Sequence, residues 1–320
     1  VTMPGGIDLD HADDLTSRLP ATEGFDPAFT GLDHWPTATQ MSALWAAQLA
    51  AVAAIGPAVP VIAQAVEAAV PRLRSGGRLA YAGAGSSGRL GAQDGAELPP
   101  TFGWAHDRLI LLIAGGEGAL IRAVENAEDD RGAARSSVDA AGLGPDDVLI
   151  AVAASGRTPY TIACVEAARA AGALTIAVAN SPAAPLLSAA HHAVLVETGS
   201  EPIAGSTRMK AGTAQKVVLN LLSTGMMTGL GHVHQGRMVD MQARNAKLRH
   251  RAVRMVADLA GCDAECAERA LESVDRDIKR AVLVALGAAP AAAAAALRTA
   301  DGRLHVARAS LGLASSPSAS

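Results

Sequence analysis

The chain has 320 residues, with 27 Lys and Arg against 31 Asp and Glu for a net charge of −4, and half of its residues are hydrophobic. A balance this close to neutral excludes the broad electropositive footprint of a nucleic-acid-binding protein, so an anionic ligand has to be met by local sites. With three Trp, two Tyr and three Phe the core must be built from Ala, Val, Leu and Ile, and Cys164, Cys262 and Cys266 are too few for a disulfide framework, which points to a reducing compartment.

Residues 1 to about 40 are rich in Asp, Thr and Pro, show no apolar period and read as an extended arm. Asp8, Asp10, Asp13 and Asp14 are unlike the basic and apolar opening of a secretory signal. From Met41 to Arg74 the composition turns to Ala, Val and Ile, punctuated by Pro57, Pro60 and Pro71, which predicts helices with short turns covering a sheet edge or a partner subunit. Short apolar segments follow at Arg78 to Ala82, Leu109 to Ala114, Val148 to Ala153, Leu174 to Ala179 and Ala193 to Glu197. Those at Leu109 to Ala114 and Val148 to Ala154 are too short to span a bilayer, and no membrane partner is expected. Between the segments, Gly118 to Glu128, Arg131 to Ala141 and Pro159 to Ala171 carry polar residues at helical spacing. Buried strands alternating with amphipathic helices predict an α/β fold, a parallel sheet flanked by helices on both faces.

After Arg208 the alternation stops. A long helix to about Leu230, then helical segments at Met238 to Leu259, Ala264 to Val274 and Asp277 to Leu286, predict a smaller C-terminal all-helical domain. Asp263 reads as a helix cap, Gly287 as a stop and Pro290 as the first turn of another helix through the alanine run. Residues 314–320 read as a disordered tail. The expected division is an N-terminal arm and helix at 1–54, the α/β domain at 55–232 and the helical domain at 233–320.

Leu79 to Trp104 is the most informative stretch. Gly83-Ala84-Gly85-Ser86-Ser87-Gly88 fits the G-x-G-x-x-G turn of a dinucleotide site, which also needs an acidic residue about 20 positions on, at the end of a second strand. Asp107 precedes the next strand instead, and Pro99 and Pro100 are expected to cut short the helix after the turn. Two more strand ends carry hydroxyl-bearing loops, Ala154-Ser155-Gly156-Arg157-Thr158-Pro159 and Gly205-Ser206-Thr207-Arg208. Any one of these loops reads as a plain helix cap. Three in a shared parallel sheet converge on one crevice with helix N-termini pointing into it, which predicts a cradle for a single phosphoryl group on a small substrate.

These residues also carry a family resemblance. Gly83 to Gly103 (GAGSSGRLGAQDGAELPPTFG), Ala114 to Asp130 (AGGEGALIRAVENAEDD), Ala153 to Tyr160 (AASGRTPY), Gly205 to Asn220 (GSTRMKAGTAQKVVLN) and Met238 to Leu248 (MVDMQARNAKL), with Thr22-Glu23-Gly24, resemble the N-acetylmuramic acid 6-phosphate etherases of the sugar isomerase (SIS) domain group. The resemblance implies an SIS domain at 55–232 and a cytoplasmic homodimeric lyase acting on a phosphorylated amino sugar. It implies no metal or organic cofactor and a place in the recovery of cell-wall sugars. The implied reaction cleaves the ether between D-lactate and C3 of the sugar, with water giving N-acetylglucosamine 6-phosphate. By motif position, Glu97 and Glu128 correspond to the two functional glutamates of the family.

An ether oxygen β to a carbonyl can leave once the α proton is removed, and the open-chain aldehyde of the sugar supplies that carbonyl. Acid and base groups for such steps typically contribute about 10²- to 10⁴-fold each. Glu97, between Ala96 and Leu98 and before two prolines, is expected to be partly buried with a raised pKa. Composition alone does not separate Glu128 from Glu125, Asp129 and Asp130 in a solvated acidic segment. Ser86, Ser87, Ser155, Thr158 and Lys210, with the N–H groups of Gly85 and Gly156, are the expected phosphate or sugar-hydroxyl contacts, and Arg157 and Arg208 read as braces paired with carboxylates. His232 and His234 lack supporting ligands at metal spacing and read as surface imidazoles, and Met226 and Met227 as packing. The chain departs from the family pattern at Ala96 and Leu98, where serine and cysteine are usual. Ser86 stands where threonine is common, and Ser42 to Val52 lacks the usual acidic cluster. A non-catalytic sugar-phosphate-sensing regulatory protein and a sugar-phosphate isomerase are the alternative readings; the two glutamate-bearing motifs favour the lyase.

Overall fold

The computed structural model describes residues 20–122, 124–243 and 245–313; the acidic residues Asp8, Asp10, Asp13 and Asp14 and the tail at 314–320 lie outside the described residues. Strands β1 (Leu79–Gly83), β2 (Leu109–Ile113), β3 (Val148–Val152), β4 (Leu174–Ala179) and β5 (His192–Leu195) form a parallel sheet in the order β2-β1-β3-β4-β5. β1, β3 and β4 are buried along their whole length, so both faces need helical cover. The period of two along each strand sorts the side chains. Leu79, Tyr81, Val148, Ile150 and Val152 face one core with helices α2 (Val59–Arg74), α3 (Gly85–Phe102) and α7 (Lys210–Leu230), whose Met226 and Met227 are buried there. Ala80, Ala82, Leu149 and Ala151 face the other, against α4 (Arg131–Ala141), α5 (Pro159–Ala170) and α6 (Pro185–Ala189). Helix α1 (Thr37–Ala53) packs outside this layer on α7.

The stretch 37–74 is, among the described residues, the one long and apolar enough to cross a membrane by length and composition. It is broken by a turn and a short 3₁₀ helix, Gly56–Ala58, and α2 buries Ile62, Ala65, Ala69 and Leu73 in the sheet core.

The C-terminal part has its own core, built from Val239, Met255, Leu271, Ile278, Leu297, Leu304 and their neighbours. A two-strand hairpin, β6 (Val233–His234) and β7 (Arg237–Met238), leads into α8 (Ala246–Ala260), α9 (Ala264–Glu272), α10 (Ile278–Ala285), α11 (Pro290–Thr299) and α12 (Leu304–Ser310). The expected helix from Met238 therefore starts only at Ala246. Asn245, Asp263 and Asp277 cap α8, α9 and α10 by accepting the N–H of Leu248, Cys266 and Arg280.

Two local expectations are corrected. Helix α3 runs through Pro99 and Pro100 to Phe102. The prolines sit in its last turn, where they deprive only the Gly95 and Ala96 carbonyls of donors, and burial of Leu98, Pro99 and Phe102 holds the turn helical. Gly103, at φ +67°, then closes it by donating to Pro99 O. Gly118 to Glu128 is not an amphipathic helix but two 3₁₀ turns, Glu117–Leu120 and Ala127–Asp129. Asn126 adopts positive φ within this stretch, which an α-helix cannot absorb, and Gly115 and Gly116 do so just before it.

The order of strands reverses at β1, with β2 on one side and β3 on the other, and the carboxyl ends of β1 and β3 form the crevice where ligands bind in such sheets. α3 reaches it because Gly83 and Gly88 let backbone touch backbone: a Cβ on Gly88 would lie 2.8 Å from Gly83 O. A buried chain of hydrogen bonds braces the loops. Ser87 Oγ donates to Gln215 Oε1 (2.9 Å), Gln215 Nε2 to Asn180 Oδ1 (2.9 Å), and Asn180 Nδ2 to Val196 O (3.1 Å). Fully buried Glu201 seats the start of α7 by accepting the N–H of Lys210 (2.7 Å) and Ala211 (2.9 Å).

Gly88→Ala is expected to push α3 off β1 and to lower unfolding stability in urea by about 1–3 kcal/mol. Gln215→Leu leaves the Ser87 hydroxyl and Asn180 Oδ1 unpaired in the interior, with an expected loss of about 1–3 kcal/mol at an unchanged denaturant slope. An unshifted urea midpoint in either variant would show that the contact concerned is slack.

Candidate active site

A cavity of about 340 Å³ opens at the ends of β1 and β3 and is lined by residues of all three hydroxyl loops, among them Gly85, Ser86, Ser87, Ser155, Thr158 and Thr207. At the start of α3 the first helical bond runs from Gly88 N–H to Ala84 O, so the N–H groups of Gly85, Ser86 and Ser87 have no partner within the helix. They give the cavity the positive end of a helix, a ready site for an anion. Ser155 Oγ accepts the Arg157 N–H (3.2 Å), which leaves its own O–H to donate. Thr158 is the N-cap residue of α5 but makes no side-chain cap, so its hydroxyl also remains available. Ser87 lines the wall with its hydroxyl already committed to Gln215.

Glu128 and Asp129 also line the cavity, from the 3₁₀ turn Ala127–Asp129. Asn126, in the left-handed region at φ 60°, turns the chain into it, and Asp130 fixes its exit by capping α4 at Ala133 N (2.8 Å). The acidic run is thereby divided: Glu128 and Asp129 face the cavity while Asp130 serves the helix. Arg157 lines the cavity instead of bracing a loop, and neither it nor Arg208 forms a carboxylate pair among the described residues.

Three expectations fail at the level of single groups. Glu97 is exposed, not partly buried, and does not line the cavity of its own chain. It follows Gly85 by 12 residues on α3, about 18 Å along the axis. The buried carboxyl of that helix is Asp94, which accepts from Tyr81 Oη (2.8 Å) and Asn220 Nδ2 (2.6 Å). Burial, with the Asp94 charge beside it, pushes the Tyr81 hydroxyl well above its ordinary range. The N–H of Gly156 is spent on Ala153 O (3.0 Å), so it is no donor to a ligand. Glycine is needed there for space and for φ +62°, since a Cβ would lie 2.3 Å from the Ala184 methyl. Lys210 turns its Nζ to Ser200 O (2.8 Å) and does not line the cavity.

Residue-by-residue reading also missed Glu23, Asp129 and Thr207, which line the cavity. The signal for Glu23 was the Thr22-Glu23-Gly24 match, whose meaning depends on a distant contact. Thr22 is fully buried with Oγ1 3.4 Å from Ser181 Oγ, which brings the turn Ala21–Glu23 to the end of β4. His232 is no surface imidazole. Its Nδ1 lies 2.6 Å from Asp240 Oδ2, which also receives Lys279 Nζ at 2.5 Å, and its ring stands edge-on to Trp104 at 6.2 Å. This cluster ties the C-terminal core to the end of α3. A wider groove of about 970 Å³ runs along β2; its walls are mainly apolar, with Leu111, Ile113 and Ile121, and its described lining residues include no Lys or Arg.

Residues 61–169 match the model of the glucokinase regulatory protein N-terminal SIS domain, and residues 125–224 that of the SIS domain. The chain is 50% identical over 282 residues to the N-acetylmuramic acid 6-phosphate etherase of Deinococcus radiodurans, covering 88% of this chain and 92% of that protein. It is 44% identical over 276 residues to the enzyme of that name from Pectobacterium atrosepticum, covering 86% and 91% respectively. A solved phosphoheptose isomerase from Francisella tularensis is similar at 21% identity and a TM-score of 0.47, over 61% of this chain and 100% of that one. With this identity sustained along nearly the full length of its relatives, the chain belongs to the N-acetylmuramic acid 6-phosphate etherase family.

Proposed function

We propose that this chain cleaves the D-lactyl ether of N-acetylmuramic acid 6-phosphate by elimination and water addition, giving N-acetylglucosamine 6-phosphate and D-lactate. The observation that carries the reading is the meeting, in one small cavity, of the free N-terminal N–H groups of α3 with the carboxylate-bearing turn of Glu128. The phosphate sits on Gly85, Ser86 and Ser87 of α3, within reach of the Ser155 and Thr158 hydroxyls, and the sugar extends toward Glu128. With the ring open, a carboxylate takes the C2 proton, the C3–O bond breaks as C2=C3 forms, and the departing lactate oxygen is protonated by the second acid. Water then adds at C3 and a proton returns to C2. Glu97 and Glu128 share these acid and base tasks.

The exposed position of Glu97 outside its own cavity supports a homodimer in which Glu97 of the partner subunit completes the site. A second feature agrees with this. Met41, Trp45, Leu49 and Val52 form an exposed apolar ridge at helical spacing on α1, where a partner would exclude water. A cytoplasmic role in recovering cell-wall sugars fits the phosphorylated substrate and the free thiols of Cys164, Cys262 and Cys266. The family's glutamate at the cavity favours an enzyme over a sugar-phosphate sensor or an isomerase.

Purified protein is expected to release D-lactate from N-acetylmuramic acid 6-phosphate, with solvent deuterium at C2 and solvent ¹⁸O at C3 of the product. Folded protein without lactate release would refute the assignment, and ¹⁸O confined to lactate would replace elimination by displacement. Glu97→Gln and Glu128→Gln are each expected to lower kcat by about 10²- to 10⁴-fold while substrate still binds. Mixing and reassociating the two inactive variants should restore activity that neither has alone, because one site of the mixed dimer then holds both glutamates. Absence of such complementation, in a dimer shown to exchange subunits, would place both residues in one chain's site.

A further inference from the structure

We propose that Glu23 is a third catalytic residue of this site, the acid–base group that opens the pyranose ring; the inference rests on the etherase reading above. Elimination needs an aldehyde at C1, whereas in the ring C1 is a hemiacetal and the C2 proton is not acidic. With Glu97 and Glu128 engaged at C2 and C3, another group has to take the O1 proton and return one to O5.

Glu23 has the position for this. It lines the same cavity as the α3 N-terminus, and its carboxylate lies on the turn at Gly205, where a Cβ would be 3.1 Å from Glu23 Oε2. That turn leads directly to Thr207, a hydroxyl of the cavity wall. In the sugar, O5 and C6 are both attached to C5, so a group serving O5 must stand beside the phosphate cradle. The backbone of Glu23 is held by its N–H to Pro20 O (2.8 Å) and by the buried Thr22 next to it. Its carboxylate makes no hydrogen bond or ion pair among the described residues and is therefore not consumed by the fold.

Electrostatics point the same way. The cavity already holds Glu128 and Asp129 against one cationic lining residue, Arg157. A further carboxylate facing a phosphorylated substrate weakens ground-state binding, which like charges brought together always do. Such a group fits a site where it has a proton to move. The step balances: Glu23 takes the proton of O1–H, the O1 electron pair forms C1=O1 as the C1–O5 bond breaks toward O5, and the O5 alkoxide recovers the proton from the Glu23 carboxyl. The carboxylate is left as it began.

The test is the exchange of α and β anomers of N-acetylglucosamine 6-phosphate, followed by magnetisation-transfer NMR with the full-length protein. The wild type is expected to accelerate exchange. Glu23→Gln is expected to lose the acceleration by about 10²-fold together with kcat for lactate release, at a KM no higher than wild type, while Glu97→Gln keeps it. Glu23→Asp, which retains a carboxylate on the same turn, should exceed Glu23→Gln in exchange rate. Absence of acceleration by the wild type, full acceleration by a Glu23→Gln protein with a wild-type near-UV spectrum, or equal rates in the Asp and Gln variants overturns the proposal. Failure of the wild type to release lactate, with Glu23-dependent anomer exchange intact, would instead overturn the etherase reading and leave the role of Glu23 standing.

Discussion

The site depends on how closely helix α3 approaches strand β1. Gly83 and Gly88 are in backbone contact, with no room for a Cβ on either, and this fixes both the depth and the direction of the helix start. Three unpaired N–H groups then point into the crevice at which the strand order reverses. A methyl group at either glycine would lift the helix and with it the unpaired N–H groups at its start. The hydroxyl loops from β3 and from the approach to α7 share one cavity only because α3 has already set its floor.

Buried polar groups keep those loops in register. Ser87, Gln215 and Asn180 join segments far apart in the chain, and Glu201 holds the α7 N-terminus from within the protein. At the opposite end of the sheet, Arg78 and Asp147 pin β1 to β3 with a 2.6 Å ion pair. Burial works to raise the Asp147 pKa, yet the Arg78 side chain and the N–H groups of Arg78 and Gly144 outweigh it and hold the carboxyl below its ordinary range. In an alanine-rich protein with few aromatic side chains, such satisfied polar contacts supply positional specificity that interlocking large side chains would otherwise give.

The helical C-terminal core does not border the cavity, but it bears on the far end of the same helix. Asp240 brings His232 and Lys279 together beside Trp104, and its carbonyl closes over Gly103 so tightly that a Cβ there would lie at 2.6 Å. The end of α3 that carries Glu97 is thus held by one core while its start serves the other. This arrangement orients an exposed glutamate without burying it.

Local pattern sufficed for the alternating α/β order, the parallel sheet, the three loops and the glycines, because strand and helix periods and turn chemistry are short-range properties. The motifs were enough for the family. Placement at the cavity was legible only where the local frame fixes direction, as at Gly85 and Ser86. Glu128 became distinct from Asp130 through the left-handed turn at Asn126, and Glu23 entered the cavity through Thr22 packing on Ser181, 159 positions away. The same long-range packing turned Glu97 outward, gave Lys210 to Ser200 and spent the Gly156 N–H inside its own loop. Sequence decided which segments form and which helix start carries unpaired N–H groups. Only tertiary structure decided which carboxylates line the cavity, since that depends on contacts between segments whose relative placement no local period encodes.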